Sequence, residues 1–284
     1  MPGNGSMELI HLFARAFLGP GKRAVVMGPA FGEYAVATRT VGAEVLEFRA
    51  REEDGFVPDI PGACDFIRRV RPGAVFLCNP CNPTGVYLRE TDVCALREAS
   101  KPGILVVDEA YADFAEEPWN SPVRAREGGM IILRSFTKTF SLFPFRLGYA
   151  LGKPEILEPM RGLGASGSAN AFAEAVGLAA LAEKDRPRLA RESAREGLKA
   201  LSEGLNKAGI DTLPSEASFR LVSVPDAWRV RWNLQREGIL VRDCVSFGLP
   251  SFLRVAAPPL PKVPSVVDAF SRSARPVSYT AVTR

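Results

Sequence analysis

Ile131-Ile132-Leu133-Arg134-Ser135-Phe136-Thr137-Lys138 is an apolar run that ends abruptly in two hydroxyls and a lysine, and Arg146 follows eight residues later. The apolar part predicts a buried strand. A lysine is costly to bury unless its charge or its amine is used. A desolvated lysine amine is a nucleophile that forms a Schiff base with an aldehyde, and hydroxyls beside an arginine suit a phosphate group. The stretch therefore indicates either a site for a phosphate-bearing aldehyde or, more simply, a strand end with a solvated lysine.

Apolar segments alternate with helical segments on both sides of this stretch. The predicted strands cover residues 23–27, 44–48, 74–78, 104–107, 130–133 and 147–151, and the predicted helices cover residues 7–17, 34–41, 59–70 and 90–100. Strands and helices at this spacing predict an α/β fold with a mostly parallel central sheet and helices on both faces. The direction of the last of these strands stays open at this point.

The pattern changes after residue 152. Helices are predicted at 169–183, 186–208, 228–237 and 264–273, and strands at 219–224, 239–242 and 251–257. This mixture predicts a smaller α+β domain. We therefore expect a large α/β domain over residues 1–160 and a small C-terminal domain over residues 161–284.

Polar side chains follow three successive strands of the predicted sheet. Asn82 follows the third strand, Asp108 the fourth and Lys138 the fifth, at separations of 26 and 30 residues, about one βαβ unit each. Because ligands bind outside the carboxyl ends of strands in open α/β sheets, we expect the three side chains to line one sheet edge. Taken singly, Asp108 also suits a helix cap, Asn82 a turn and Tyr111 a core position.

Together these residues supply what a pyridoxal phosphate enzyme needs. Lys138 is the candidate for the Schiff base, and Asp108 is the candidate for holding the pyridine nitrogen protonated. Asn82 and Tyr111 are candidate donors to the phenolic oxygen. A glycine turn that opens a helix offers free N–H groups to an anion. The predicted phosphate site therefore comprises Gly5, Ser6, Met7, Ser135, Thr137 and Arg146, with Phe31 stacked on the ring.

The composition argues against several other classes of protein. The chain has 284 residues, 46% hydrophobic, with 36 basic and 32 acidic residues and no dense basic run, so nucleic acid is not an expected partner. No apolar stretch approaches the roughly 18–20 residues of a membrane span, and no secretion signal is visible, so we expect a cytoplasmic protein. The five scattered cysteines fit reduced thiols, and the single histidine, His11, argues against a zinc site or a Ser-His-Asp site.

Several segments resemble one known family. Residues 79–85, 108–111, 135–138 and 146–149 are similar to the motifs of fold-type I, class I/II aminotransferases. Residues 3–9, 31–34, 241–242 and 253–255 resemble the branch that holds histidinol-phosphate aminotransferase and the threonine-phosphate decarboxylase of cobalamin synthesis. The resemblance runs from residue 3 to about residue 258. It implies a two-domain transferase fold, a pyridoxal 5'-phosphate cofactor and a homodimer with sites near the subunit interface.

The resemblance also implies substrate contacts and shows departures from the family pattern. Arg254 would pair with the substrate carboxylate, and Arg242 would lie near a substrate phosphate or another distal group, whereas a solvated strand edge is the alternative for both. Cys81 stands where relatives usually have asparagine, and Pro144 where they usually have glycine. Relatives carry a long segment before the glycine turn, with a substrate-covering arm and a tyrosine that reaches the neighbouring subunit's cofactor. This chain starts at the turn.

Three functions are compatible with these observations. The first expectation is a pyridoxal phosphate enzyme that acts on a small amino acid, phosphorylated or not, and resembles threonine-phosphate decarboxylase. The alternative is an aminotransferase that uses glutamate and 2-oxoglutarate. A second alternative is a protein that binds the cofactor without turnover, which the absent N-terminal arm motivates.

Overall fold

The computed structural model describes residues 1–165 and 167–274, which form two compact units. The first unit is Met1–Glu192 with Ser215–Ser218, and the second is Ser193–Pro214 with the described part of Phe219–Arg284. The predicted boundary between residues 160 and 161 falls inside a helix of the first unit, Pro154–Leu163. The extent of the two folding domains stays a prediction.

A seven-stranded sheet forms the centre of the first unit. Its strands are β1 (Pro2–Gly3), β2 (Arg23–Gly28), β3 (Glu44–Arg49), β4 (Ala74–Cys78), β5 (Ile104–Asp108), β6 (Met130–Ser135) and β7 (Gly148–Leu151), in the order β1-β7-β6-β5-β4-β2-β3. Strands β2 to β6 run parallel, and β7 is antiparallel to both β6 and β1. The predicted mostly parallel α/β sheet is confirmed, and the direction of its last strand is now known.

Helices cover both faces of the sheet because successive strand residues point to opposite faces and both sets are apolar. The helices of the first unit are α1 (Gly5–Phe17), α2 (Glu33–Thr40), α3 (Ile60–Val70), α4 (Glu90–Ser100), α5 (Ser121–Ala125), α6 (Pro154–Leu163) and α7 (Ala171–Ala182), and α8 (Arg186–Lys207) begins in this unit and continues into the second. Val106 and Ile131 pack in one apolar layer with α1, α2 and α6. Val107 and Ile132 pack in the other layer with α3, α4 and α5. The helices leave the polar ends of the strands uncovered, and a ligand can reach the sheet there.

Three elements of the first unit have no counterpart among the predicted ones. Strand β1 has two residues, too few for a hydrophobic pattern. Helix α5 has five residues, and α6 carries Pro159 in its interior, where proline interrupts helical hydrogen bonding. Within the described part of the chain, no helix combines the length and the apolar character needed to cross a membrane.

The second unit contains a three-stranded antiparallel sheet of β8 (Phe219–Ser223), β10 (Phe252–Ala256) and β9 (Arg242–Asp243), with helices α9 (Ala227–Arg236) and α10 (Val263–Ser273). The strand predicted over residues 239–242 is wrong. The Ile239 N–H donates to the Leu234 carbonyl at 2.9 Å, and Gly238 has a φ of 77°. Ile239 therefore belongs to the C-terminal turn of α9, and the strand begins only at Arg242.

Candidate active site

A cavity of about 180 Å³ lies at the carboxyl ends of β4, β5 and β6. Its lining comprises Ser6, Met7, Phe31, Tyr34, Cys78, Asn82, Asp108, Ala110, Tyr111, Ser135, Thr137, Lys138, Phe143 and Arg146. Every residue of the predicted cofactor site except Gly5 lines this cavity. The structure therefore brings the predicted set together at one sheet edge, while the role of each residue stays a prediction.

Asp108 is the last residue of β5 and is 4% exposed. Its Oδ2 accepts the Tyr34 hydroxyl at 2.8 Å, and its Oδ1 accepts the Ala110 N–H at 3.1 Å. Burial raises the pKa of the Asp108 carboxyl, and the two hydrogen bonds and the Lys138 charge oppose that rise. The cavity thus contains a desolvated carboxyl group that is ready to bind a cation or an N–H donor.

Lys138 approaches this carboxyl group from the segment after β6. Its Nζ lies 5.5 Å from the centroid of the Tyr111 ring, within cation–π range. The next residue, Thr139, is buried, and its hydroxyl donates to Asp113 Oδ2 at 2.6 Å. This bond anchors the backbone beside the lysine, so that the amine, the phenol and the carboxyl group meet at one cavity.

The start of α1 and Arg146 form the cationic end of the cavity. The first N–H groups of a helix have no acceptor within the helix, and α1 starts at Gly5. Gly5 has a φ of 77°, and a Cβ atom built on it would lie 2.6 Å from Arg146 Nη2. Only glycine leaves this space open beside the guanidinium group. Free N–H groups and a guanidinium around such a space fit a phosphate group, and the other predicted phosphate residues that line the cavity are Ser6, Met7, Ser135 and Thr137.

A buried ion pair links the carboxyl ends of β5 and β6. Glu109 is 2% exposed and pairs with Arg134 Nε at 2.7 Å. It also accepts the Trp119 indole N–H at 2.8 Å and the Ser121 hydroxyl at 2.7 Å. Glu109 follows Asp108 directly, and Arg134 precedes Ser135, so this network ties the ends of β5 and β6 together.

Four residues that line the cavity were not among the predicted ones: Tyr34, Cys78, Ala110 and Phe143. Tyr34 lies three residues after Phe31, and the two rings meet edge to face at 5.7 Å. The helical spacing of these two aromatic residues was visible in the sequence. A tyrosine that becomes buried needs a partner for its hydroxyl, and that requirement is the signal that could have found Tyr34.

The two predicted substrate arginines lie in the second unit. Arg242 of β9 stands directly opposite Arg254 of β10. The Arg242 guanidinium donates to Ser246 Oγ at 2.9 Å, and the Arg254 guanidinium lies 4.9 Å from the centroid of the Phe219 ring. Like charges that face each other across a strand pair are unfavourable unless an anion offsets them. The arrangement suits an anionic group, and the substrate contacts of both residues stay predictions.

Comparisons with known proteins place the chain among relatives of one kind. The family model of aminotransferase class I and II matches residues 1–270. The histidinol-phosphate aminotransferase of Symbiobacterium thermophilum is 40% identical over 258 residues, which cover 89% of this chain and 70% of the relative. Histidinol-phosphate aminotransferase 1 of Thiobacillus denitrificans is 35% identical over 89% of this chain and 66% of the relative. The chain therefore spans about two thirds of the length of these relatives.

The fold has close counterparts among solved structures. The histidinol-phosphate aminotransferase of Sinorhizobium meliloti, solved in complex with pyridoxal 5'-phosphate, superposes with a TM-score of 0.89. The match covers 97% of this chain and 76% of that one, at 21% sequence identity. At this identity the likeness shows the fold alone.

Proposed function

The chain belongs to the class I and II aminotransferase family, and we propose that it binds pyridoxal 5'-phosphate and transfers an amino group between a small amino compound and a 2-oxo acid. The observation that carries this proposal is the convergence of Lys138, Asp108 and Arg146 on one cavity. Relatives named histidinol-phosphate aminotransferase support the aminotransferase alternative. The first expectation, a threonine-phosphate decarboxylase, has no such support and gives way to it.

The donor groups of the cavity match the polar groups of the proposed cofactor. When bound, pyridoxal phosphate supplies a cationic ring that withdraws electrons from the bonds at the substrate Cα. Asp108 would hold the proton on the ring nitrogen, and the α1 N–H groups with Arg146 would hold the phosphate. Asn82 and Tyr111 would donate to the phenolic oxygen, and Phe31 would cover one ring face. The cofactor would therefore be held at three separate points, and its orientation would be fixed.

Lys138 is the residue that we assign to proton transfer. Its amine would hold the cofactor's aldehyde in the absence of substrate. With substrate in the site, the free amine would take and hold the proton from the substrate Cα, and in the second half of the exchange it would give a proton back to the Cα of the new amino acid. The anchor of Thr139 to Asp113, at 2.6 Å, keeps the lysine segment in place during this transfer.

The substrate that we propose is histidinol phosphate, with glutamate and 2-oxoglutarate as the exchange pair. Histidinol phosphate carries its phosphate on the CH2 group next to the amine-bearing carbon, and glutamate carries a carboxylate on that carbon. Arg242 and Arg254 supply two guanidinium groups on facing strands, and guanidinium groups bind phosphate and carboxylate in a bidentate manner. The homodimer implied by the family resemblance stays a prediction.

Turnover assays with two substrates test this proposal. The purified protein is supplied with pyridoxal phosphate and given histidinol phosphate with 2-oxoglutarate, or phosphothreonine alone. We expect glutamate from the first mixture and no carbon dioxide from the second. Carbon dioxide from phosphothreonine would favour the decarboxylase function over the aminotransferase function. If neither product forms while the cofactor binds, the result supports the alternative of a cofactor-binding protein without turnover.

The phosphate site has its own test in Gly5→Ala. We expect the variant to raise the Kd for pyridoxal phosphate about tenfold, because a Cβ at this position would lie 2.6 Å from Arg146 Nη2 and displace the guanidinium from the phosphate, and a hydrogen bond to a charged group contributes roughly 1.5–3 kcal/mol. Pyridoxal, which lacks the phosphate, should bind equally to variant and wild type. Gly162→Ala is the matched control, since a Cβ there meets no atom within 4 Å. An equal loss of affinity for pyridoxal and for pyridoxal phosphate would contradict the assignment.

A further inference from the structure

Tyr34 is a buried residue of α2 to which the amino-transfer chemistry assigns no role. Its side chain has no exposed surface. Its ring stacks on Phe76, with centroids 5.3 Å apart and planes at 10°, and meets Phe31 edge to face. Contacts on the ring face and on the ring edge fix its position, so the direction of its hydroxyl is fixed as well.

That hydroxyl is bonded to the carboxyl group at the centre of the site. The Tyr34 hydroxyl donates to Asp108 Oδ2 at 2.8 Å, and the Ala110 N–H donates to Oδ1 at 3.1 Å. Each carboxylate oxygen therefore has one donor from the protein. Because a carboxylate oxygen accepts two hydrogen bonds, capacity remains for an N–H donor in the cavity.

We propose that Tyr34 is a positioning residue, which keeps Asp108 ionised and turned toward a protonated pyridine nitrogen in the cavity. This inference rests on the proposed function, because the pyridine ring belongs to the proposed cofactor. In this role Tyr34, the residue that α2 contributes, affects the reaction only through Asp108.

The charges around Asp108 support this role. Burial raises the pKa of the Asp108 carboxyl, while the Tyr34 hydrogen bond, the Ala110 N–H and the Lys138 amine lower it. Burial and Asp108 raise the pKa of Tyr34 well above its usual value, so its hydroxyl stays a donor. Cys78 at the end of β4 also faces both groups, and burial raises the pKa of its thiol well above the usual value. Without the Tyr34 hydroxyl, Asp108 would retain its proton to higher pH and would not accept the ring N–H.

Tyr34→Phe tests the inference through the pH dependence of cofactor binding. The Kd for pyridoxal phosphate is measured across pH for wild type, Tyr34→Phe and the control Tyr87→Phe, whose hydroxyl accepts the Trp119 N–H away from the cavity lining. We expect the loss of affinity on the acid side to move to higher pH in Tyr34→Phe. At a pH on that limb its Kd should rise roughly tenfold, the size of one hydrogen bond to a charged group. Tyr87→Phe should follow the wild-type curve.

The outcomes separate this inference from the proposed function. If wild type binds no pyridoxal phosphate, the proposed function fails and the inference fails with it. If wild type binds and Tyr34→Phe either follows its curve or loses affinity equally at every pH, the inference fails alone. Should Tyr34→Phe not fold, difluorotyrosine at position 34 keeps the ring and strengthens the donor. The loss of affinity on the acid side must then occur at a lower pH than in wild type. If it occurs at the wild-type pH, the inference is overturned.

Discussion

Lys138→Ala is expected to lower kcat by roughly 10⁴-fold or more, the upper end of what one acid–base group contributes. In our proposal the variant lacks both the amine that would hold the aldehyde and the group that would move the proton at the substrate Cα. The visible absorbance of the wild-type protein with pyridoxal phosphate should be absent from the variant before any amino acid is added. Steady-state rates and absorbance spectra of the two proteins measure both effects.

Lys153→Ala provides the control for this substitution. Lys153 is a partly exposed lysine of the first unit, and its Nζ lies 3.9 Å from Glu155. Its removal should change neither the spectrum nor the rate. A Lys138→Ala protein that retained a tenth of the wild-type kcat would show that another group moves the proton.

Asp108→Asn is expected to lower kcat by roughly 10²- to 10³-fold, the cost of losing one preorganised group where charge develops. An amide keeps the shape of the side chain and still accepts a hydrogen bond from Tyr34. It does not hold a proton on the ring nitrogen, so the bound cofactor loses its positive charge. Measured kcat and the spectrum of the bound cofactor should both change, while the exposed substitution Asp65→Asn should leave both unchanged. An Asp108→Asn enzyme with the wild-type kcat would contradict the assignment of Asp108 to the ring nitrogen of the cofactor.

The same substitution should stabilise the cofactor-free protein. The pKa of Asp108 is higher in the folded protein than its ordinary value because of burial, so ionisation costs the folded state stability. That cost is absent below about pH 4, where Asp108 is protonated in both states. It grows as pH rises toward the folded pKa and is complete above it. The free energy of unfolding in urea, measured on the cofactor-free proteins, should therefore be larger for Asp108→Asn than for wild type at neutral pH and equal for the two in acid. A smaller value for Asp108→Asn at neutral pH would contradict this account.

The central sheet could be predicted from sequence because its strands are short apolar runs at βαβ spacing. Strand β4 matches its predicted bounds, and β5 and β6 extend one and two residues further, into Asp108 and Ser135. The direction of β7 could not be predicted, since it depends on which strands lie beside it. The strand predicted to begin at Ile239 failed because a glycine C-terminal turn looks like the start of an apolar run.

The candidate site was predictable where its residues follow strands and less so where they do not. Asn82, Asp108 and Lys138 could be grouped because parallel strands end at one edge of the sheet. Tyr34 could not be joined to Asp108 by that rule, because it lies on a helix and 74 residues away along the chain. Helix packing brings the two together, and periodicity alone does not specify that packing.

A single turnover is the most direct test of the claim that this chain transfers an amino group with Lys138. Protein loaded with pyridoxal phosphate is mixed with glutamate without any acceptor, and the 2-oxoglutarate released is measured. We expect roughly one equivalent per site, as a two-step exchange requires, a spectral change that added 2-oxoglutarate reverses, and no product from Lys138→Ala. Absence of the oxo acid from the wild-type protein, or the same yield from Lys138→Ala, would contradict the account.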